Sequence, residues 1–195
     1  MDTRDQVQAI VQVSQWHSWL IKTVLALIVL ITGLIGVSIT NEPAKIEGVV
    51  IFNSQPRGHD NSLVLPIEEM PPIGGVHHSQ FQNCGIYSSP IEPEKVVHSM
   101  EHGAVWITYQ PELPETDIVF LQEKIRAQEY LILSPYPGQK SAVALTSWGV
   151  QLEINSVYDE RIERFIARYR LGPATPERGA SCTGGFGNPL PNRGS

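Results

Sequence analysis

From Thr23 to Ile39 the chain reads TVLALIVLITGLIGVSI, without a charged residue. Joined to Trp19, Leu20 and Ile21, this apolar run approaches the roughly 20 residues that cross a bilayer as a helix. Lys22 interrupts it near one end, where an ammonium can snorkel to the headgroups. Trp16 and Trp19 stand where an interfacial aromatic belt would lie. A cleaved signal peptide is one competing reading, but no A-x-A-like site closes the run before Asn41. A buried core helix is another, but no polar face is marked. The pattern predicts a transmembrane helix over residues 18–40. Ahead of it, Val7, Ile10, Val11 and Ser14 recur at helical spacing in a stretch free of Gly and Pro, so residues 1–17 read as an amphipathic helical extension.

After residue 40 shorter periods take over. IEGVVIF (46–52) and LVLPI (63–67) read as strands on either side of a turn cluster. AVWITYQ (104–110) is a strand by its β-branched and aromatic content, followed by EYLILSPY (129–136), SAVALTSWG (141–149) and VQLEIN (150–155), the last two forming a hairpin at Gly149. PETDIVFLQEKIRAQ (114–128) is a helix whose inner face is Ile118, Leu121 and Ile125. DERIERFIARYRLG (159–172) is a second, with Ile162, Phe165, Ile166 and Tyr169 inward and Gly172 as its stop. EPEKVVHSMEHG (92–103) reads as a short helix closed by Gly103, or as the polar start of the next strand. Residues 70–90 and the tail are too rich in Pro and Gly for regular structure. The sum is an α+β domain over residues 41–182, with a mixed or antiparallel sheet and two packed helices, then an extended tail over 183–195.

Composition narrows the partners. The 195 residues carry a net charge of −6. Nearly all of it lies after residue 40, because Asp2 and Asp5 offset Arg4 and Lys22. An acidic domain without a basic stripe argues against nucleic acid and against docking on anionic lipid through a polybasic patch. Two cysteines, Cys84 and Cys182, are far apart and suggest a single disulfide outside the cytoplasm, with Cys84 as a thiolate ligand the alternative. With the weak Lys/Arg bias around the apolar run, this puts the N-terminus in the cytoplasm and residues 41–195 outside.

The histidines supply the candidate chemistry. On a helix, His98 and His102 share one face and Met100 points away; on a strand, all three share a face, a soft donor set suited to copper. A third ligand would come from His77 or His78, where Gly74 and Gly75 allow close backbone approach. Glu101 would be an acceptor that orients a ring. His59, in a turn, and His17 are left out of the set. No G-x-S-x-G, phosphate loop or dinucleotide fingerprint is present. Glu101 beside a histidine is capable of acid–base work, but no substrate pocket is legible, and binding is favoured over catalysis.

Taken in order, PPIGGVHH, CGIY, VHSMEHGAVWITY, SPYPG, SWG and GPATPERGASC resemble the bacterial family of unknown function number 3105, over about residues 46–182. The family pattern carries Pro-Pro-x-x-Gly-x-His, Cys-Gly-x-Tyr, His-Ser-x-Glu-His-Gly and Pro-Glu-x-Gly-x-x-Cys. The resemblance implies a membrane-tethered extracytoplasmic domain and gives no activity. It maps onto His77, His98, Glu101 and His102 as a three-histidine site and onto Cys84 and Cys182 as a disulfide. Met100 stands where leucine is usual, His78 where an aromatic is common and Arg178 where proline is frequent, so Met100 and His78 rank below the other ligands.

The expected function is a membrane-anchored extracytoplasmic metal-binding domain, with copper as the first ion and zinc as the second. It would be an accessory to a redox or metal-handling system of the bacterial cytoplasmic membrane. The alternative is a metal-free structural subunit of a membrane complex. In either case the expected partners are the bilayer and neighbouring subunits, met through residues 3–40 and the tail.

Overall fold

The computed structural model describes residues 16–32, 45–53 and 55–191. The chain divides into two units, Met1–Lys45 and Ile46–Ser195. In the first, residues 16–32 form a helix, α1, whose large apolar side chains are exposed, Leu27 and Leu30 among them. Its two threonines turn their hydroxyls back onto the helix's own carbonyls, Thr23 to Leu20 O (2.9 Å) and Thr32 to Ile28 O (2.9 Å), so neither seeks an outside partner. Among the described residues no helix is long and apolar enough to cross a membrane. Most of the predicted extension over 1–17, the 33–40 part of the predicted span and residues 192–195 of the tail lie outside the described residues.

The second unit is α+β. Its sheet has six strands, β1 (Val50–Ile51), β2 (Gly85–Ile86), β3 (Val105–Tyr109), β4 (Leu131–Pro135), β5 (Val143–Ser147) and β6 (Val150–Ile154), in the order β1-β6-β5-β3-β4-β2. The sheet is mixed: β3, β4 and β2 run parallel to one another, while the β3–β5, β5–β6 and β6–β1 pairs are antiparallel. β5 and β6 form the hairpin expected at Gly149, which takes φ 70° to close it.

Three helices pack on the sheet, not two. Strand alternation sends Val105, Ile107, Leu131, Leu133, Val143, Leu145, Leu152 and Ile154 to one face, beneath α3 (Glu115–Ile125) and α4 (Arg161–Tyr169). Leu121, Ile125, Ile162 and Phe165 of those helices complete that core. The intervening positions, Trp106 and Ile132, face a second core with Val96, Val97 and Met100 of α2 (Pro93–Glu101). α2 thus covers the opposite face of the sheet.

Two expectations need correction. Leu63–Ile67 is not a strand: it has no ladder partner among the described residues, and Val64 and Ile67 are exposed. The 46–52 stretch contributes a strand only at Val50–Ile51, because Gly48 turns the chain at φ 80° just before it. The chain past Cys182 packs along residues 81–86. Phe186 N–H donates to Phe81 O (2.8 Å), Leu190 N–H to Ile86 O (2.7 Å), and Asn83 Nδ2 to Gly187 O (2.7 Å).

Candidate metal centre

α2 positions the site. Pro93 opens it at a position where its missing N–H costs nothing. Gly103 closes it at φ 114°: its N–H donates to Met100 O (3.0 Å) and Ala104 N–H to Ser99 O (3.0 Å), a Schellman stop. A side chain at Gly103 would meet Leu171 Cδ2 at 2.6 Å, so the turn and its packing both require glycine. The helical alternative therefore holds for HSMEH. His98, Glu101 and His102, at i, i+3 and i+4, share one face, and Met100, with no exposed surface, belongs to the core behind them.

The polar face of α2 is buried as well as the apolar one: His98 is 6%, Glu101 2% and His102 5% exposed. Burying such groups is costly without partners, and three segments supply them. Residues 177–182 satisfy the last turn, with Glu177 N–H donating to Glu101 O and Gly179 N–H to His102 O (both 2.9 Å). Residues 77–82 cross the helix, with Ser99 Oγ donating to Gln82 O (2.7 Å). Residues 57–60 lie against His77: His77 N–H donates to Gly58 O (3.0 Å), and Asp60 N–H to His77 O (2.8 Å). That pairing brings in His59, which sequence reasoning omitted. Its ring centroid lies 4.8 Å from that of His77 and 4.9 Å from that of His98.

Three histidines have the same arrangement of ring nitrogens. His77 Nδ1 is 2.8 Å from Gly75 O, His98 Nδ1 2.8 Å from His78 O and His102 Nδ1 2.6 Å from Ser181 O. A carbonyl only accepts, so each Nδ1 is the protonated nitrogen. In the neutral ring each Nε2 then keeps a lone pair, the state in which a histidine binds a metal. His78 contributes its carbonyl, not its ring, whose Nδ1 accepts from Gln80 N–H (2.9 Å).

His77 Nε2 stands 3.0 Å from Glu101 Oε2, with His77 wholly buried. The distance would suit an ion pair, yet the geometry is not that of a hydrogen bond, and His77 Nε2 has no hydrogen-bond partner among the described residues. The lone pair at Nε2 and the carboxylate oxygen thus face each other across a gap in which an ion lying off the N···O line would face both atoms. The other carboxylate oxygen of Glu101 accepts from Arg57 Nε (2.9 Å), which fixes its orientation.

Candidate ligand atoms fall into two groups, each within 4.8 Å mutually. The inner one is His59, His77, His98 and Glu101; the other is His98, His102 and Glu177. The expected trio is therefore not one cluster: His77 and His102 flank His98 and belong to different groups. Glu101 has the position of a ligand, not only of a brace. Phe81 and Trp148 wall the rings, with centroids 4.9 Å from His102 and 5.9 Å from His77. Cys84 and Cys182 form a disulfide, so neither is a thiolate ligand.

Burial pushes the His98 imidazole down to about 4, with His102, His77 and His59 adding to the lowering while the His78 carbonyl opposes it. Between the ordinary value of 6.5 and about 4, the unfolded chain binds a proton that the folded chain does not. His98 thus contributes stability that is present above that window and lost as pH falls through it. The urea midpoint of metal-free protein should fall between neutral pH and about pH 4, and His98→Asn should flatten part of that fall.

A family model described as "Protein of unknown function (DUF3105)" matches residues 64–184. That span holds His77, His98, Glu101, His102 and Glu177 and both cysteines, while Arg57 and His59 precede it. No curated protein and no solved structure matches the chain.

Proposed function

The chain belongs to the family of unknown function DUF3105, and we propose that it is a metal-binding domain held at a membrane by its N-terminal segment. His59, His77 and His98 bind the ion through ring nitrogens, and Glu101 adds an oxygen under the hold of Arg57. The observation that carries this is the approach of His77 Nε2 to Glu101 Oε2 at 3.0 Å without a hydrogen bond between them. A ring nitrogen with a lone pair facing a carboxylate oxygen at that spacing is suited to share a cation, and the Nδ1–carbonyl bonds of His77 and His98 leave their Nε2 atoms ready for one.

An imidazole-rich set with one carboxylate suits copper first and zinc second. The apolar run ending at Ile39 serves as the anchor in the bacterial cytoplasmic membrane, with the N-terminus inside. The disulfide fits a domain outside the cytoplasm. Such a domain would serve a redox or metal-handling assembly of that membrane, met through residues 3–40 and the tail. The test is metal content. The full chain, purified under copper- and zinc-replete conditions and washed free of loose ions, should retain close to one ion. A chain that retains none would favour a structural subunit whose histidines serve only their carbonyl bonds.

A further inference from the structure

The geometry points to a second, outer metal site made by His102 and Glu177, which shares His98 with the inner site and through which a transition-metal ion is loaded. This rests on the metal-binding reading above and deepens it. The ligand atoms of His98, His102 and Glu177 lie within 4.8 Å of one another. Rings 98 and 102 are the closest pair in the cluster, at 4.5 Å between centroids. His102 Nδ1 is committed to Ser181 O, so Nε2 is its free nitrogen, and it stands 3.7 Å from Glu177 Oε2.

His98 makes the two sites exclusive. Its Nδ1 is held by His78 O, which leaves Nε2 as its one donor atom. An ion at the outer site and an ion at the inner site cannot both take it. The rings of His77 and His59 stand 4.9 Å from His98 on the inner side. An ion can therefore keep His98 while it exchanges His102 and Glu177 for His59, His77 and Glu101. The exchange replaces ligands one for another and needs no redox step.

Exposure gives the direction. The Glu177 side chain is 45% exposed and that of Glu101 3%. His59 is the exposed member of the inner set but offers no negative charge, so a cation steered from solvent by charge meets Glu177 before Glu101. Arg57 stands between the two carboxylates, 2.9 Å from Glu101 and 3.8 Å from Glu177, so the inner carboxylate is neutralised more closely than the outer one. The inner site offers four ligands to the outer site's three, which makes the inner site the destination.

The test is stopped-flow loading of the metal-free full chain with copper(II) or zinc(II), alongside an equilibrium titration. Glu177→Gln keeps the side-chain volume and the backbone bond to Glu101 O. It should slow loading by roughly 10-fold, the low end of what a charged approach adds to an association rate, with little change in final affinity. His102→Ala should do the same, whereas His59→Ala should weaken the final affinity. Loading of both Glu177→Gln and His102→Ala at the wild-type rate would overturn the outer site while leaving the inner one standing. Two ions bound together with equal affinity would overturn the exclusive sharing of His98. A wild-type chain that binds no ion would remove the metal-binding reading itself.

Discussion

Replacing His77 with alanine is expected to lower affinity for the ion by more than about 100-fold. Groups that merely orient a ligand cost 10–100-fold when removed, and His77 supplies a ligand atom itself. Its Nδ1–H is tied to Gly75 O and its Nε2 faces Glu101 Oε2, so no neighbour can take its place without moving backbone. His98→Ala should cost at least as much, because His98 belongs to both groups. Two controls separate ligand loss from general disturbance. His78→Ala removes a ring that faces away and keeps the carbonyl that holds His98. Met100→Leu conserves core volume and should cost little stability. Both should bind at nearly wild-type strength in a competition titration. Equal losses in His77→Ala and His78→Ala would remove the special position of His77.

Removing the disulfide by Cys84→Ser with Cys182→Ser should cost about 4–5 kcal/mol on loop-closure grounds, because the bond spans 98 residues of sequence. The measurement is urea denaturation of oxidised, reduced and double-serine protein. The effect should reach the histidines, because residues 177–182 carry Glu177, cap the carbonyls of Glu101 and His102, and present Ser181 O to His102 Nδ1. Releasing that segment should weaken the outer site more than the inner one, whose histidines come from residues 59, 77 and 98. Reduction that left both stability and loading unchanged would mean that the segment is held by its hydrogen bonds alone.

Residues with strong local preference were legible. Val105–Tyr109 and the 143–154 hairpin are strands by side-chain type, and the helices at 115–125 and 161–169 follow from spacing. α2 was ambiguous because its end runs almost directly into β3, and His98, Met100 and His102 also share a face at strand spacing; Gly103 settles it by ending a helix. Leu63–Ile67 shows the reverse failure, an apolar run with no strand to pair with. Gly85–Ile86 is too short to show a period.

The site was half legible for a related reason. His98, Glu101 and His102 share one element, so spacing exposes them. His59 reaches the site by backbone pairing of residues 58–60 with His77, a long-range match with no periodic trace. The nearest signal is the glycine before it: Gly58, like Gly74 and Gly75 ahead of His77, takes a positive φ. Glu177 was visible in PERGASC but overshadowed by Cys182. Ring contact with a carbonyl does not argue against a metal either, because the bond at Nδ1 is what frees Nε2.

The most direct measurement is anomalous diffraction from crystals of the copper- or zinc-loaded chain, collected on either side of the metal edge. The account predicts one strong peak about 2.0–2.2 Å from His77 Nε2, His98 Nε2 and a Glu101 oxygen, with His59 closing the set. A peak bound by His102 and Glu177 without His77, or no peak from a chain shown to carry metal at full occupancy, would contradict it.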